Sequence, residues 1–138
     1  MDGRYAKVTN SFLIPLPDNE QYPQENKRLI MRVQIPPLPL PVSASTPDNP
    51  LHTQFTTENI TAVQFEQGRL AWKYLADQIL ESERWQAVTD LGNGRVLYES
   101  REVYDGPGAS LVQSLYGSGL QEGFEAQAQG LKLLLETP

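Results

Sequence analysis

The chain has 138 residues, 39% of them hydrophobic and 20% charged, which suffices for one buried core and is too short for two ordinary domains. Eleven Lys and Arg stand against 17 Asp and Glu, and the formal charge of −6 argues against nucleic acid or an anionic lipid surface as partner. Cysteine is absent and His52 is the single histidine, so disulfides, thiolate nucleophiles and Cys-ligated zinc are excluded, and neither a metal nor a cofactor is expected.

No apolar run approaches the roughly 18 residues that cross a bilayer, and the opening MDGRYAKVTNSF lacks the apolar stretch of a signal peptide. No membrane insertion and a cytoplasmic location are therefore expected. Nine of the 11 prolines fall between Pro15 and Pro50.

In chain order, residues 5–14 carry β-branched and aromatic residues and predict a short strand that ends at the prolines and turn formers of 15–19. Residues 27–35 alternate with a period of two, placing Leu29, Met31, Val33 and Ile35 on one face and Arg28, Ile30, Arg32 and Gln34 on a mixed second face. Residues 36–50 lack several backbone donors to proline and predict an extended, polyproline-like loop at the domain rim. A strand over 51–65, with a break near Glu58-Asn59, turns at Glu66-Gln67-Gly68 into a second strand over 69–76. Residues 83–91 and 95–105 form a second hairpin about Gly92-Asn93-Gly94. After Gly106-Pro107-Gly108, apolar residues recur at helical spacing from Ala109 to Glu136: Leu111, Val112, Leu115, Leu120, Phe124, Ala128, Leu131, Leu134 and Leu135. Gly117, Gly119, Gly123 and Gly130 within it predict a kink or a close packing contact near Gly117-Ser118-Gly119. The order is that of an α+β domain over 1–138, with an antiparallel sheet and one long C-terminal helix.

The run Tyr98-Glu99-Ser100-Arg101-Glu102-Val103-Tyr104-Asp105-Gly106-Pro107, continued by Leu111-Val112, Leu115-Tyr116-Gly117, Leu120-Gln121-Glu122-Gly123-Phe124 and Leu131-Lys132, resembles the end of the START-like (SRPBCC, Bet v 1-like) superfamily, particularly its polyketide-cyclase-like members. The resemblance covers residues 51–136. It implies a helix-grip fold, a curved antiparallel sheet around the C-terminal helix, with a cavity between them for an apolar ligand. The family's usual first strand and two small helices have no counterpart before Tyr5. An uncovered sheet edge and apolar interior then predict a homodimer.

If the inner face of the last strand carries Tyr98, Ser100, Glu102 and Tyr104, Glu102 is a candidate general acid or base and Tyr98 or Tyr104 orients a carbonyl. The alternative is that Glu102 pairs with Arg32 or Arg84 while the tyrosines fill the core. Trp72, Tyr74 and Trp85 together would make an aromatic wall for a flat ligand, and equally an ordinary sheet core. Arg32 and Gln34 are candidates for holding a ligand carboxylate or enolate, or face solvent. Tyr116 and Phe124 fall on or near the helix's expected inward stripe, as lid residues or as core. His52 reads as a rim histidine rather than a base or ligand, and Pro37–Pro41 as a rim loop rather than a ligand for an aromatic groove.

Two functions remain open on these residues. One is binding of a polyketide- or terpenoid-like small molecule, with cofactor-independent cyclisation, dehydration or isomerisation in secondary metabolism. The other is non-catalytic carriage or sensing of a hydrophobic ligand. A third, a family member that has lost its pocket and kept an assembly role, needs no site at all.

Overall fold

The computed structural model describes residues 6–10, 22–43, 45–74 and 78–136, the first of these stretches as backbone only. Six strands are hydrogen-bonded in chain order: β1 (Ala6–Asn10), β2 (Arg28–Gln34), β3 (Thr53–Gln64), β4 (Arg69–Tyr74), β5 (Glu81–Gly92) and β6 (Arg95–Asp105), followed by the helix α1 (Ala109–Glu136). The chain is therefore α+β, with an open antiparallel sheet and one long C-terminal helix. The expected residues 5, 11–19 and 75–76 lie outside the described ones.

The chain divides into two compact units. The first contains Ile30–Thr56 and Ser110–Pro138 with the start of the chain, and the second Thr57–Ala109 with Thr9–Leu29.

In the second unit, β4, β5 and β6 form a meander whose turns follow from the sequence. Phe65–Gln67 make one 3-10 turn and Gly68 closes it at φ 63°. Its amide donates to the Phe65 carbonyl at 3.0 Å, and its own carbonyl accepts from Val88 N–H at 2.9 Å. A Cβ at Gly68 would run into the Val88 carbonyl, so both the backbone angle and the space require glycine. At the far end Asn93 and Gly94 both take positive φ, the conformation that joins two twisted strands in a tight hairpin. Ile60, Ala71 and Trp72 are the buried apolar residues here.

In the first unit, β2 contributes Met31 and the proline-rich segment contributes Val42, both 5% exposed. The segment is thus more than a rim loop. Gln34, expected on a face open to solvent, is 3% exposed. Its Nε2 donates to Thr53 Oγ1 at 2.8 Å and its Oε1 accepts from Asn49 N–H at 3.1 Å, so both ends of the amide are satisfied. The Ile35 amide donates to the His52 carbonyl at 2.9 Å, and His52 Nδ1 lies 3.2 Å from Asn49 Nδ2.

Helix α1 spans the residues its periodicity predicts, as one continuous 28-residue helix, but its phase differs. Leu111 and Leu115 are 62% and 64% exposed, while Gly130 is buried and Gly119 and Gly123 are half-buried. A Cβ on Gly119 would stand 2.9 Å from Ile35 Cγ2. The helix approaches Ile35 at Gly119, a contact the leucine spacing does not announce. Gly119→Ala should therefore lower stability by about 1–2 kcal/mol through overpacking, despite better helix propensity. Gly123→Ala meets nothing within 4 Å and should raise stability by about 1 kcal/mol. Thermal melts of the two variants, which differ only in what their new methyl touches, check the phase.

Candidate functional site

Strand register decides which side chains meet. Trp72 opposes Ile60 on β3 and Arg84 on β5, and Leu70 opposes Gln86. Across the last hairpin Ser82 opposes Tyr104, Arg84 opposes Glu102, Gln86 opposes Ser100 and Val88 opposes Tyr98. Because side chains directly opposite share a face, one side of this sheet gathers Ile60, Trp72, Ser82, Arg84, Gln86, Tyr98, Ser100, Glu102 and Tyr104. Glu58 and Tyr74, opposite each other and two residues along, fall on the same side. Tyr98, Ser100, Glu102 and Tyr104 thus share one side with Trp72 and Tyr74, and are half-buried where Glu99 and Arg101 are exposed.

Trp85 is not part of that wall. It opposes Ala71 and Arg101, on the other side of the sheet. An open groove of about 500 Å³ lies there, lined by Arg69, Glu83, Trp85, Glu99, Arg101 and Val103 among others. Its side is set by the β4–β5 register, which faces Trp85 with Ala71 and Arg84 with Trp72. The β5–β6 ladder carries a separate shift. The turn pairs Gly92 with Arg95, but an irregularity between Asp90 and Gly92 shifts that ladder by one residue. A shift of one there changes which β6 residue each β5 residue meets.

The centre of the first face is Arg84. Its Nε donates to Ser100 Oγ at 3.1 Å, and its guanidinium carbon stands 5.7 Å from the centroid of the Trp72 ring, within cation–π range. Burial pulls the guanidinium's pKa down, opposed by Glu102 first and then by Tyr98, Tyr104 and Glu58. The carboxylates keep the cation charged where solvent does not. Around it Glu58, Ser82 and Gln86 are all buried.

Tyr104 lies beside Glu102 and hydrogen-bonds to it. Its pKa is pushed well above that of a free phenol, first by burial, then by the charge and hydrogen bond of Glu102, with Arg84 opposing. It is therefore a phenol that donates, at any neutral or mildly alkaline pH. Two polar atoms on this face are buried without a hydrogen-bond partner among the described residues: Tyr98 Oη and Gln86 Nε2. They come from neighbouring cross-strand pairs of β5 and β6, so two donors are unspent within one small area.

No family model, curated protein or solved structure matches the chain.

The other expected site residues lie in the first unit. Arg32 forms an ion pair with Asp48 at 2.9 Å and leaves its Nε buried and unbonded. Tyr116 is 40% exposed and Phe124 half-buried. From the sequence Arg84 is expected only as a partner for Glu102, and Glu58, Ser82 and Gln86 have no expected role at a site. A basic residue opposite an inward Glu on a hairpin is the signal that points to Arg84, and it becomes usable once the shift near the turn is known.

The Tyr104 shift has a signed consequence. The unfolded chain loses this proton from about pH 10 while the folded one retains it, so stability is fully present below pH 10 and declines above it. The slope is at most about 1.4 kcal/mol per pH unit, reduced by solvent at a partly exposed ring. Denaturant melts from pH 8 to 11 should show this slope, and Tyr104→Phe should lack its share.

Proposed function

We propose that the protein binds a flat, mainly apolar small molecule of polyketide or terpenoid type on the Arg84 face, through oxygen atoms that accept from Tyr98 and Gln86. The observation that carries this reading is the pair of buried donors with no partner among the described residues. A buried polar group left unpaired costs about 1–3 kcal/mol, and folds retain that cost where something else completes the bond. Tyr74 lies half-buried on the same side of the sheet, while the Trp72 ring is buried with Arg84 over it. Arg84 supplies positive charge for a carbonyl or enolate oxygen.

On this reading Glu102 is the acid–base group. It would take a proton from an activated carbon and return it elsewhere on the same molecule, in a cyclisation, dehydration or isomerisation that needs neither metal nor cofactor. An open sheet with one long terminal helix is compatible with the START-like resemblance, which stands with the cytoplasmic location and the place in secondary metabolism as part of the proposal. One observation favours a non-catalytic carrier instead. Glu102 already stands opposite Arg84 and accepts from Tyr104, an arrangement that holds a carboxylate in its charged form.

The orphaned hydroxyl gives the decisive test. Tyr98→Phe should leave thermal stability unchanged or raise it by about 1 kcal/mol, because it removes an unpaired buried group. The same variant should weaken binding of 2-naphthol, a flat probe with one phenolic oxygen, several-fold as read by Trp72 fluorescence in a Trp85→Phe background. A stability loss with unaltered binding would assign the hydroxyl to packing. Glu102→Gln then separates the two functions: an enzyme keeps its ligand and loses turnover, and a carrier keeps both its ligand and its behaviour.

A further inference from the structure

Strand β6 ends the hydrogen-bonded order of the sheet, and its outer residues are exposed. Val96 is 58%, Leu97 43% and Val103 51% exposed, a concentration of apolar surface that edge strands ordinarily avoid. The strand also has an internal symmetry. It runs for 11 residues, Arg95–Asp105, and Ser100 is its midpoint.

Laid antiparallel against a second copy with Ser100 on the two-fold axis, β6 is chemically self-complementary. Arg95 falls opposite Asp105, Glu99 opposite Arg101 and Leu97 opposite Val103 on one face. Val96 falls opposite Tyr104 and Tyr98 opposite Glu102 on the other. Every exposed apolar residue of the strand meets an apolar or aromatic partner, and both outer charge pairs are of opposite sign. Three nearby registers bring like charges together. A two-fold on Glu99 sets that carboxylate against itself, one on Arg101 sets two guanidiniums together, and slipping the pairing by one residue faces Glu99 with Glu102. Like charges directly opposite are destabilising, so the register is selected by repulsion as well as attraction.

We infer that β6 is a homodimer interface in which two copies join edge to edge, antiparallel, with Ser100 on the axis. The partner is a second copy of this chain, because a strand whose charges read as their own complement about its midpoint fits itself. This deepens the expectation of a homodimer and moves it from the beginning of the chain to its last strand. It does not depend on the proposed ligand.

The experiment is sedimentation velocity with a charge-swap series at low ionic strength. The wild type should sediment at twice the monomer mass of 15.5 kDa. Arg101→Glu creates two like-charge pairs and should weaken the dimer by about tenfold or more. The double variant Glu99→Arg with Arg101→Glu restores both pairs and should restore the dimer. Because the chain has no cysteine, Ser100→Cys adds a single thiol that should cross-link two copies on mild oxidation, whereas Ser110→Cys on the helix should not. The cross-link decides the matter even if the charge variants fold poorly. A monomeric wild type, a dimer indifferent to Arg101→Glu, or equal cross-linking at both positions would overturn the inference.

Discussion

A guanidinium withdrawn from water sets the terms for the meander of β4, β5 and β6. Arg84 cannot be buried among apolar residues alone, because a charge without partners in a low-dielectric interior is far costlier than any packing gain. The face around it is therefore polar by necessity. Glu102 sits across the hairpin, Ser100 accepts from Nε, and the Trp72 ring offers its electron-rich surface on the other side. The elevated pKa of Tyr104 comes first from burial and then from Glu102, with Arg84 opposing. A framework of this kind is fixed before any ligand arrives, which is what a binding face needs to hold its donors in place.

Strands and helix were legible because their periodicities are strong. Arg95–Asp105 and Ala109–Glu136 fall where alternation, the Asn93-Gly94 turn and the Gly-Pro-Gly break place them. The errors share a cause, in that each depends on a register or contact of a single residue. Trp85 falls on the other side because β4 and β5 pair with Trp72 against Arg84, one residue away from the register that would put the two tryptophans together. The break expected near Glu58-Asn59 occurs instead between Ile60 and Ala62, where β3 slips by one against β4. Such slips leave no mark on hydropathy. Gln34 was read as solvent-facing because its side chain is polar, yet a fully bonded amide is as buriable as an aliphatic one. In α1 the leucines are the louder signal, and it is Gly119 that comes close to Ile35.

Alternation along β6 also separates two tasks. Even-numbered residues serve the Arg84 cluster, and odd-numbered ones carry the outward charges and aliphatics. A substitution on one side need not disturb the other, provided the backbone stays paired with β5. The hairpin's distal end has less to hold it. Val88, Leu91, Val96 and Leu97 are all more than two-fifths exposed, so this end has few buried contacts to resist local opening.

The amide of Gln34 has a consequence for the proline-rich segment it closes. By bonding to Thr53 and Asn49 at once, with Ile35 N–H on the His52 carbonyl beside it, Gln34 ties the two ends of the excursion together where β2 ends and β3 begins. Val42 anchors the middle. What happens between these fixed points is mechanically insulated from the strands. Related chains would be free to lengthen, shorten or rewrite this stretch at small entropic cost, so divergence should accumulate there first, while Gln34, Asn49 and Thr53 change together or not at all.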